Sequence, residues 1–193
     1  MEHKTIGFAV CGSFSTHNRA MAALEQVAAQ YEQVIPIVSE ITAATDTRFG
    51  TAHDLMREME RICDRRVIRS VFEAEPIGPQ KLLDLLVIAP CTGNTLSKIA
   101  AGITDSAVTM AAKAHLRNGR PVVVAVASND GLSGSAPALG QLLMRRNLYF
   151  VPFGQDDPHA KPTSLIADFS QIPQTIHAAF QGCQLQPLLL GVS

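Results

Sequence analysis

A chain of 193 residues, 47% hydrophobic and 17% charged, is long enough to bury one substantial core and short enough that a single domain, 1–193, is the expectation. Its 16 Lys and Arg against 17 Asp and Glu leave a formal charge of −1, with no basic run longer than Arg65-Arg66 or Arg145-Arg146, which removes the electrostatic basis for binding nucleic acid or an anionic membrane. The opening Met-Glu-His-Lys is not a signal peptide and no apolar run approaches the length of a membrane span, so a cytosolic protein is predicted; Cys11, Cys63, Cys91 and Cys183 show no Cys-x-x-Cys spacing, so neither a metal site nor a disulfide framework is expected.

In chain order, Thr5 to Cys11 reads as a first strand, followed by the polar turn Gly12-Ser13-Phe14-Ser15-Thr16 and a helix from about Asn18 to Gln30. Gln33 to Val38 reads as a second strand, with the Ser39 hydroxyl at its carboxyl end. Thr42 to Gly50 is a polar loop, and Leu55, Met59 and Ile62 repeat at helical spacing within Thr51 to Asp64. Val67 to Phe72 suits a short strand, after which Pro76, Gly78 and Pro79 break the chain. Leu82 to Ala89 is a nearly continuous aliphatic run, as expected of a strand buried on both faces, and Pro90 is predicted to end it. The turn Thr92-Gly93-Asn94-Thr95 opens a helix running to about Ala101, and Asp105 to Arg117 reads as a second helix capped by Asp105 or Ser106. Asn118-Gly119 turns into a buried strand, Pro121 to Ala127, which ends in another polar turn, Ser128-Asn129-Asp130-Gly131. A loop from Leu132 to Pro137, a helix from about Ala138 to Arg146 and a short strand Asn147 to Val151 complete the regular part, about 5–151. The segment 152–193 is less regular: Phe153 to Pro158 reads as an acidic turn and Ser170 to Gln181 as a last helix.

Strands alternating with helices imply an α/β fold with a parallel sheet covered on both faces, whose strand-to-helix turns line up along the carboxyl edge. Those turns carry hydroxyls, an amide and backbone N–H groups at helix starts, which suit an anion such as phosphate; Thr92 and Asn94 also suit plain helix caps. Gly12-Ser13-Phe14-Ser15 matches neither the spaced glycines of a dinucleotide site nor the Lys-containing P-loop, so a mononucleotide such as FMN fits at least as well.

Over Thr5 to Val151 the chain resembles the flavoprotein family that includes the phosphopantothenoylcysteine decarboxylases, the lantibiotic cysteine decarboxylases and the flavin prenyltransferases. The likeness rests on Gly12-Ser13-Phe14-Ser15 and on Asn94-Thr95-Leu96-Ser97-Lys98-Ile99-Ala100-Ala101-Gly102-Ile103-Thr104-Asp105. A closer likeness within that family runs almost end to end, through Asp46-Thr47-Arg48-Phe49-Gly50, Ala74-Glu75-Pro76-Ile77-Gly78-Pro79, Ala89-Pro90-Cys91-Thr92-Gly93-Asn94, Ala111-Ala112-Lys113-Ala114 and Phe153-Gly154-Gln155-Asp156-Asp157-Pro158. The resemblance implies a three-layer αβα sandwich with a mainly parallel, Rossmann- or flavodoxin-like sheet that binds FMN noncovalently. By position, Gly12, Ser13 and Ser15 match the family's phosphate-side turn, Ser39 the polar residue after the second strand, and Thr92, Gly93, Asn94 and Thr95 the turn facing the flavin. Lys98, one helical turn on, would reach phosphate or substrate. Ser128 and Asn129 match the segment that in the decarboxylases precedes a substrate-covering clamp, which is not recognisable here. Nor is the decarboxylases' catalytic histidine, for which His17 and His53 are candidates by proximity alone.

The closer likeness implies a separately encoded partner similar to a nicotinamide-dependent dehydrogenase, carrying NAD(P), and a small cyclic dicarboxylate oxidised to an aromatic ring. Aromatisation removes a hydride and a proton, so a base is needed, for which His53 and Asp105 are the candidates; Arg48 is the candidate for bidentate binding of a carboxylate. The related flavoproteins assemble as trimers and shells of trimers, and the low charge content also points to a homo-oligomer. A decarboxylase or prenyltransferase of the same fold, and a scaffold for the dehydrogenase-like partner, stand as alternatives.

Overall fold

The computed structural model describes residues 2–191. Seven strands form one sheet in the order β2-β1-β3-β4-β7-β6, with β5 also pairing β4. The parallel part comprises β1 (Glu2–Val10), β2 (Tyr31–Val38), β3 (Leu85–Cys91), β4 (Val122–Ser128) and β5 (Leu148–Phe150). β3 is buried along its whole length and β4 along all but Ser128, because helices cover both faces. Helices α1 (His17–Gln30), α3 (Ala52–Cys63) and α8 (Ile172–Phe180) pack on one face; α4 (Val71–Ala74), α5 (Gly93–Ala101), α6 (Ala107–Arg117) and α7 (Ala136–Leu143) pack on the other. On α1 the buried side chains are Ala20, Ala23, Leu24 and Val27, a helical stripe whose alanines let the helix lie close to the sheet.

Several expectations are corrected. The Leu85–Cys91 strand does not stop at Pro90. The β3–β4 register shifts between Ile88 and Cys91, so the missing proline N–H falls at an irregularity, while the Pro90 carbonyl accepts from the Cys11 amide at 3.2 Å. Of Val67 to Phe72, only Ile68 bridges to Ile37 of β2, and the chain then enters α4. There the Ser70 side chain caps the Glu73 amide and the Glu73 carboxylate accepts from the Ser70 amide, a reciprocal box that outweighs the strand preference of Val71 and Phe72. The start of the Thr42 to Gly50 loop is instead helical, in α2 (Glu40–Ala44), capped by Ser39.

The largest correction lies beyond Pro152. Phe153 to Asp157 is a strand, β6, not a turn, and it pairs antiparallel with β7 (Lys161–Ala167), which has no counterpart among the predicted elements. Two strands therefore share one edge of β4. β5 runs parallel along Val122 to Val124, whereas β7 runs antiparallel along Ala127 and Ser128. The hairpin is thereby placed at the carboxyl end of β4, where the polar turns lie.

Candidate functional site

At the carboxyl edge, β1 delivers Gly12 to Thr16, β2 delivers Ser39, β3 delivers Thr92 and β4 delivers Ser128 and Asn129. Thr92 caps α5: its hydroxyl accepts from the Thr95 amide at 3.3 Å, leaving the Gly93 and Asn94 amides of the first turn directed out of the helix start. The Thr95 hydroxyl is buried, 3.1 Å from that of Thr92 and donating to Cys11 Sγ at 3.3 Å. Burial pushes the Cys11 thiol up to about 11 and raises that of Cys91 well above its ordinary value, so neither is a ready nucleophile.

Two clefts open on these turns and share Gly12, Phe14 and Thr92 as their common wall. The larger, about 630 Å³, brings together Ser13, Ser15, Arg48, Gly93, Ser128 and Asn129 with Arg19, Asp156, Lys161 and Ser164. The smaller, about 420 Å³, brings together Ser39, Asn94, Thr95, Lys98 and Asp105 with Glu40, Ile41 and Ser106. In it Lys98 Nζ lies 2.9 Å from Asp105 Oδ2. Asp105 is thus an ion-pair partner, and the cap of α6 is Ser106, whose hydroxyl accepts from the Thr109 amide. The Glu40 carboxylate accepts from the Ala107 amide, 3.1 Å from each oxygen, fixing α2 against the start of α6.

Arg48 sits 4.9 Å over the Phe49 ring and, among the described residues, makes no ion pair, so its guanidinium fork faces the cleft uncommitted. His53 stands apart from both clefts: it is exposed on α3, 3.6 Å from Asp54, beside a groove lined by Arg57, Glu60 and Arg66. His17 lies beneath Phe14, its Nε2 donating to the Cys11 carbonyl at 2.9 Å, and burial lowers its pKa.

The residues fit a flavin mononucleotide. Hydroxyls of Ser13 and Ser15 have no partner among the described residues, and with the α5 amides they form a donor set suited to a phosphate. Each cleft by itself falls in the size range of small-molecule and cofactor sites. The wall beside the α5 start is cut to backbone: a Cβ on Gly93 would lie 2.2 Å from Ser135 Oγ and 2.7 Å from Asp130 Oδ1. Asp130 accepts from the Ser128 and Ser135 hydroxyls at 2.5 and 2.8 Å, bonds that hold its carboxyl below the usual carboxylate range. Sequence reasoning did not find Arg19, Lys161 or Ser164, because they reach the cleft through α1 and the unpredicted β7. Among the described residues no group of three His, Cys, Asp or Glu side chains could hold a metal ion, and no helix is long and apolar enough to cross a membrane.

Comparison with known proteins places the chain in a family and matches its fold. A family model described as Flavoprotein matches residues 1–149. Over 190 residues the chain is 42% identical to the B subunit of dipicolinate synthase of Bacillus subtilis (strain 168), covering 98% of this chain and 95% of that protein. The crystal structure of the dipicolinate synthase B subunit from Bacillus halodurans C superposes with a TM-score of 0.90 at 41% identity, over 98% of this chain and 97% of that one. The FMN-dependent cysteine decarboxylase SpaF superposes with a TM-score of 0.65 at 18% identity, over 93% and 97%, a likeness of fold alone.

Proposed function

Because the chain belongs to the flavoprotein family, we propose that its paired clefts hold FMN noncovalently and that it serves as the flavoprotein, or B, subunit of a dipicolinate synthase. In this reading it works with the dehydrogenase-like A subunit of that enzyme, which carries NAD(P), in the mother-cell cytoplasm of a sporulating bacterium, and dihydrodipicolinate, or its hydroxytetrahydro form after loss of water, gives up a hydride and a proton to become pyridine-2,6-dicarboxylate. The observation that carries the reading is that the polar strand-end turns line two adjacent clefts on either side of Gly12, Phe14 and Thr92.

Gly12, Ser13, Ser15 and the first turn of α5 would hold the phosphate-bearing end of the cofactor through amides and hydroxyls, with Ser39, whose hydroxyl caps α2, lining the smaller cleft on the other side of the wall. Thr92, Thr95, Ser128 and Asn129 would line the rest, with Lys98 and Asp105 bracing the rim as an ion pair. Bound flavin supplies a hydride acceptor. The chain's own part is to orient the substrate and take its proton. Arg48 would grip one carboxylate in bidentate fashion. Neither expected base shares the larger cleft with Arg48: Asp105 lines the smaller one, and His53 lines neither. The one carboxylate lining the larger cleft, Asp156, is ion-paired with Lys161 at 2.9 Å, as Asp105 is with Lys98, so no uncommitted base lines that cleft among the described residues.

Self-association is part of the same reading. Phe72, Met144 and Leu189 are 82%, 84% and 69% exposed and are the first side chains to examine for burial in a trimer-based homo-oligomer.

Titrating the purified chain with FMN and following the quenching of flavin fluorescence tests the cofactor site. Saturation near one flavin per chain is the expected result. No binding at micromolar protein removes the flavoenzyme reading for the isolated chain and leaves a scaffold role or a flavin site completed only by the partner subunit.

A further inference from the structure

The β6–β7 hairpin puts into the larger cleft a set of groups that the strand-end turns do not supply. Ser164 of β7 is 3% exposed, lines the cleft, and its hydroxyl has no hydrogen-bond partner among the described residues. The hydroxyl opens onto the cleft with its donor and acceptor uncommitted to the protein, and so is available to a ligand atom. Its placement is rigid. Leu165 pairs with Ser128 of β4, the Thr163 carbonyl accepts from the Leu132 amide at 2.9 Å, and the Thr163 hydroxyl donates to the Asn129 carbonyl at 2.7 Å. Gly131 packs so closely that a Cβ there would lie 2.8 Å from Leu165.

Charge points the same way. The side chains lining this cleft include three cations, Arg19, Arg48 and Lys161, and one carboxylate, Asp156, in a chain whose formal charge is −1. Lys161 Nζ gives one of its three protons to Asp156 at 2.9 Å, which fixes the ammonium beside the strand and leaves donors for an incoming anion. A hydroxyl donor, an ammonium and a nearby guanidinium are the chemistry of a carboxylate site.

We infer that Ser164 and Lys161, with Arg19 adding positive potential, bind one carboxylate of a small ring dicarboxylate in the larger cleft, apart from the turns that would take the flavin phosphate. This rests on the proposed function for the identity of the substrate, but the anion subsite is a separate element of the fold and is separately testable.

The test is calorimetric titration of the full chain with pyridine-2,6-dicarboxylate in metal-free buffer, with and without FMN, beside FMN fluorescence titrations of the same samples. Ser164→Ala and Lys161→Met should each weaken dicarboxylate binding about tenfold or more, the effect of losing a charge-assisted hydrogen bond, while Ser164→Thr retains it. FMN affinity should stay within about twofold in all three, as expected of a site with no flavin contact. Dicarboxylate binding that the variants leave unchanged overturns the subsite. So does loss of FMN binding in the variants together with displacement of the dicarboxylate by FMN or inorganic phosphate, which would make these groups the flavin's phosphate site. FMN binding without dicarboxylate binding sinks the subsite and spares the flavin reading. Variant-sensitive dicarboxylate binding without FMN binding does the reverse, and absence of both removes both.

Discussion

Gly93 and Asp130 make the start of α5 a rigid wall. The Asp130 carboxylate, fixed by the Ser128 and Ser135 hydroxyls, lies beside the positive end of the helix and against the bare Cα of Gly93. Adding one methyl there must displace a bonded network. Gly93→Ala is therefore expected to cost about 1–3 kcal/mol by overpacking and to weaken FMN binding, read by urea denaturation and flavin titration on the same protein. An unchanged midpoint would mean that the network yields without cost. Thr95→Val separates a ligand role from a structural one. The helix cap is Thr92, so Thr95 contributes to the fold mainly through its bond to Cys11 Sγ. Losing that hydroxyl should cost roughly 1 kcal/mol of stability, whereas flavin binding should be abolished. Equal affinity in the variant would make Thr95 a packing residue only.

Legibility at the level of elements follows from how local each signal is. β1, β3 and β4 could be read from the sequence because a strand buried on both faces must be aliphatic almost throughout, and the turns after them stand out as hydroxyl-rich breaks. That made Gly12 to Ser15, Ser39 and Thr92 to Thr95 readable as one edge. α4 was hidden because the strand preference of Val71 and Phe72 masks a Ser70 to Glu73 box whose two ends lie three residues apart. The hairpin was hidden for a different reason. Gln155, Asp156 and Lys161 look like loop because β6 and β7 are held by pairing with each other and with the top of β4, which no local pattern encodes. With them went Ser164 and the cationic side of the cleft. The close approach of Gly131 to Leu165 gives a handle on this element. Gly131→Val should detach the hairpin, costing about 1–3 kcal/mol, and the amides of β7 should exchange hydrogen faster while those of β1 and β3 keep their protection. Uniform protection across the sheet would mean that the hairpin docks without this contact.

Across the whole molecule, the two edges of the sheet do different work. The carboxyl edge carries the hydroxyls and uncommitted cations, whereas the amino edge buries a titratable group with no role in the clefts. His115, near the end of α6, is 1% exposed, and its Nε2 is buried without a partner among the described residues. Burial lowers its pKa to about 4, helped by the Arg120 guanidinium and opposed by the Pro121 and Asp84 carbonyls and the Asp84 carboxylate. Arg120 is itself held there by the Leu83 and Lys81 carbonyls and lies 3.9 Å from Asp84. The folded state thus keeps His115 neutral at a pH where the unfolded chain, with an ordinary histidine pKa near 6.5, already takes up a proton. Above that value the full contribution is present. As the pH falls from about 6.5 towards 4, the unfolded state gains protons that the folded state refuses, so stability declines, by up to about 3 kcal/mol, and the decline from this group ends near pH 4. Denaturant unfolding at a series of pH values should show that slope in the native chain and a much flatter profile in His115→Leu. A slope between pH 6.5 and 4 that survives the substitution would mean that His115 does not set the acid sensitivity there, since carboxylates such as Asp130 and Asp168, whose pKa values are lowered, lose their own contribution only further down the pH scale.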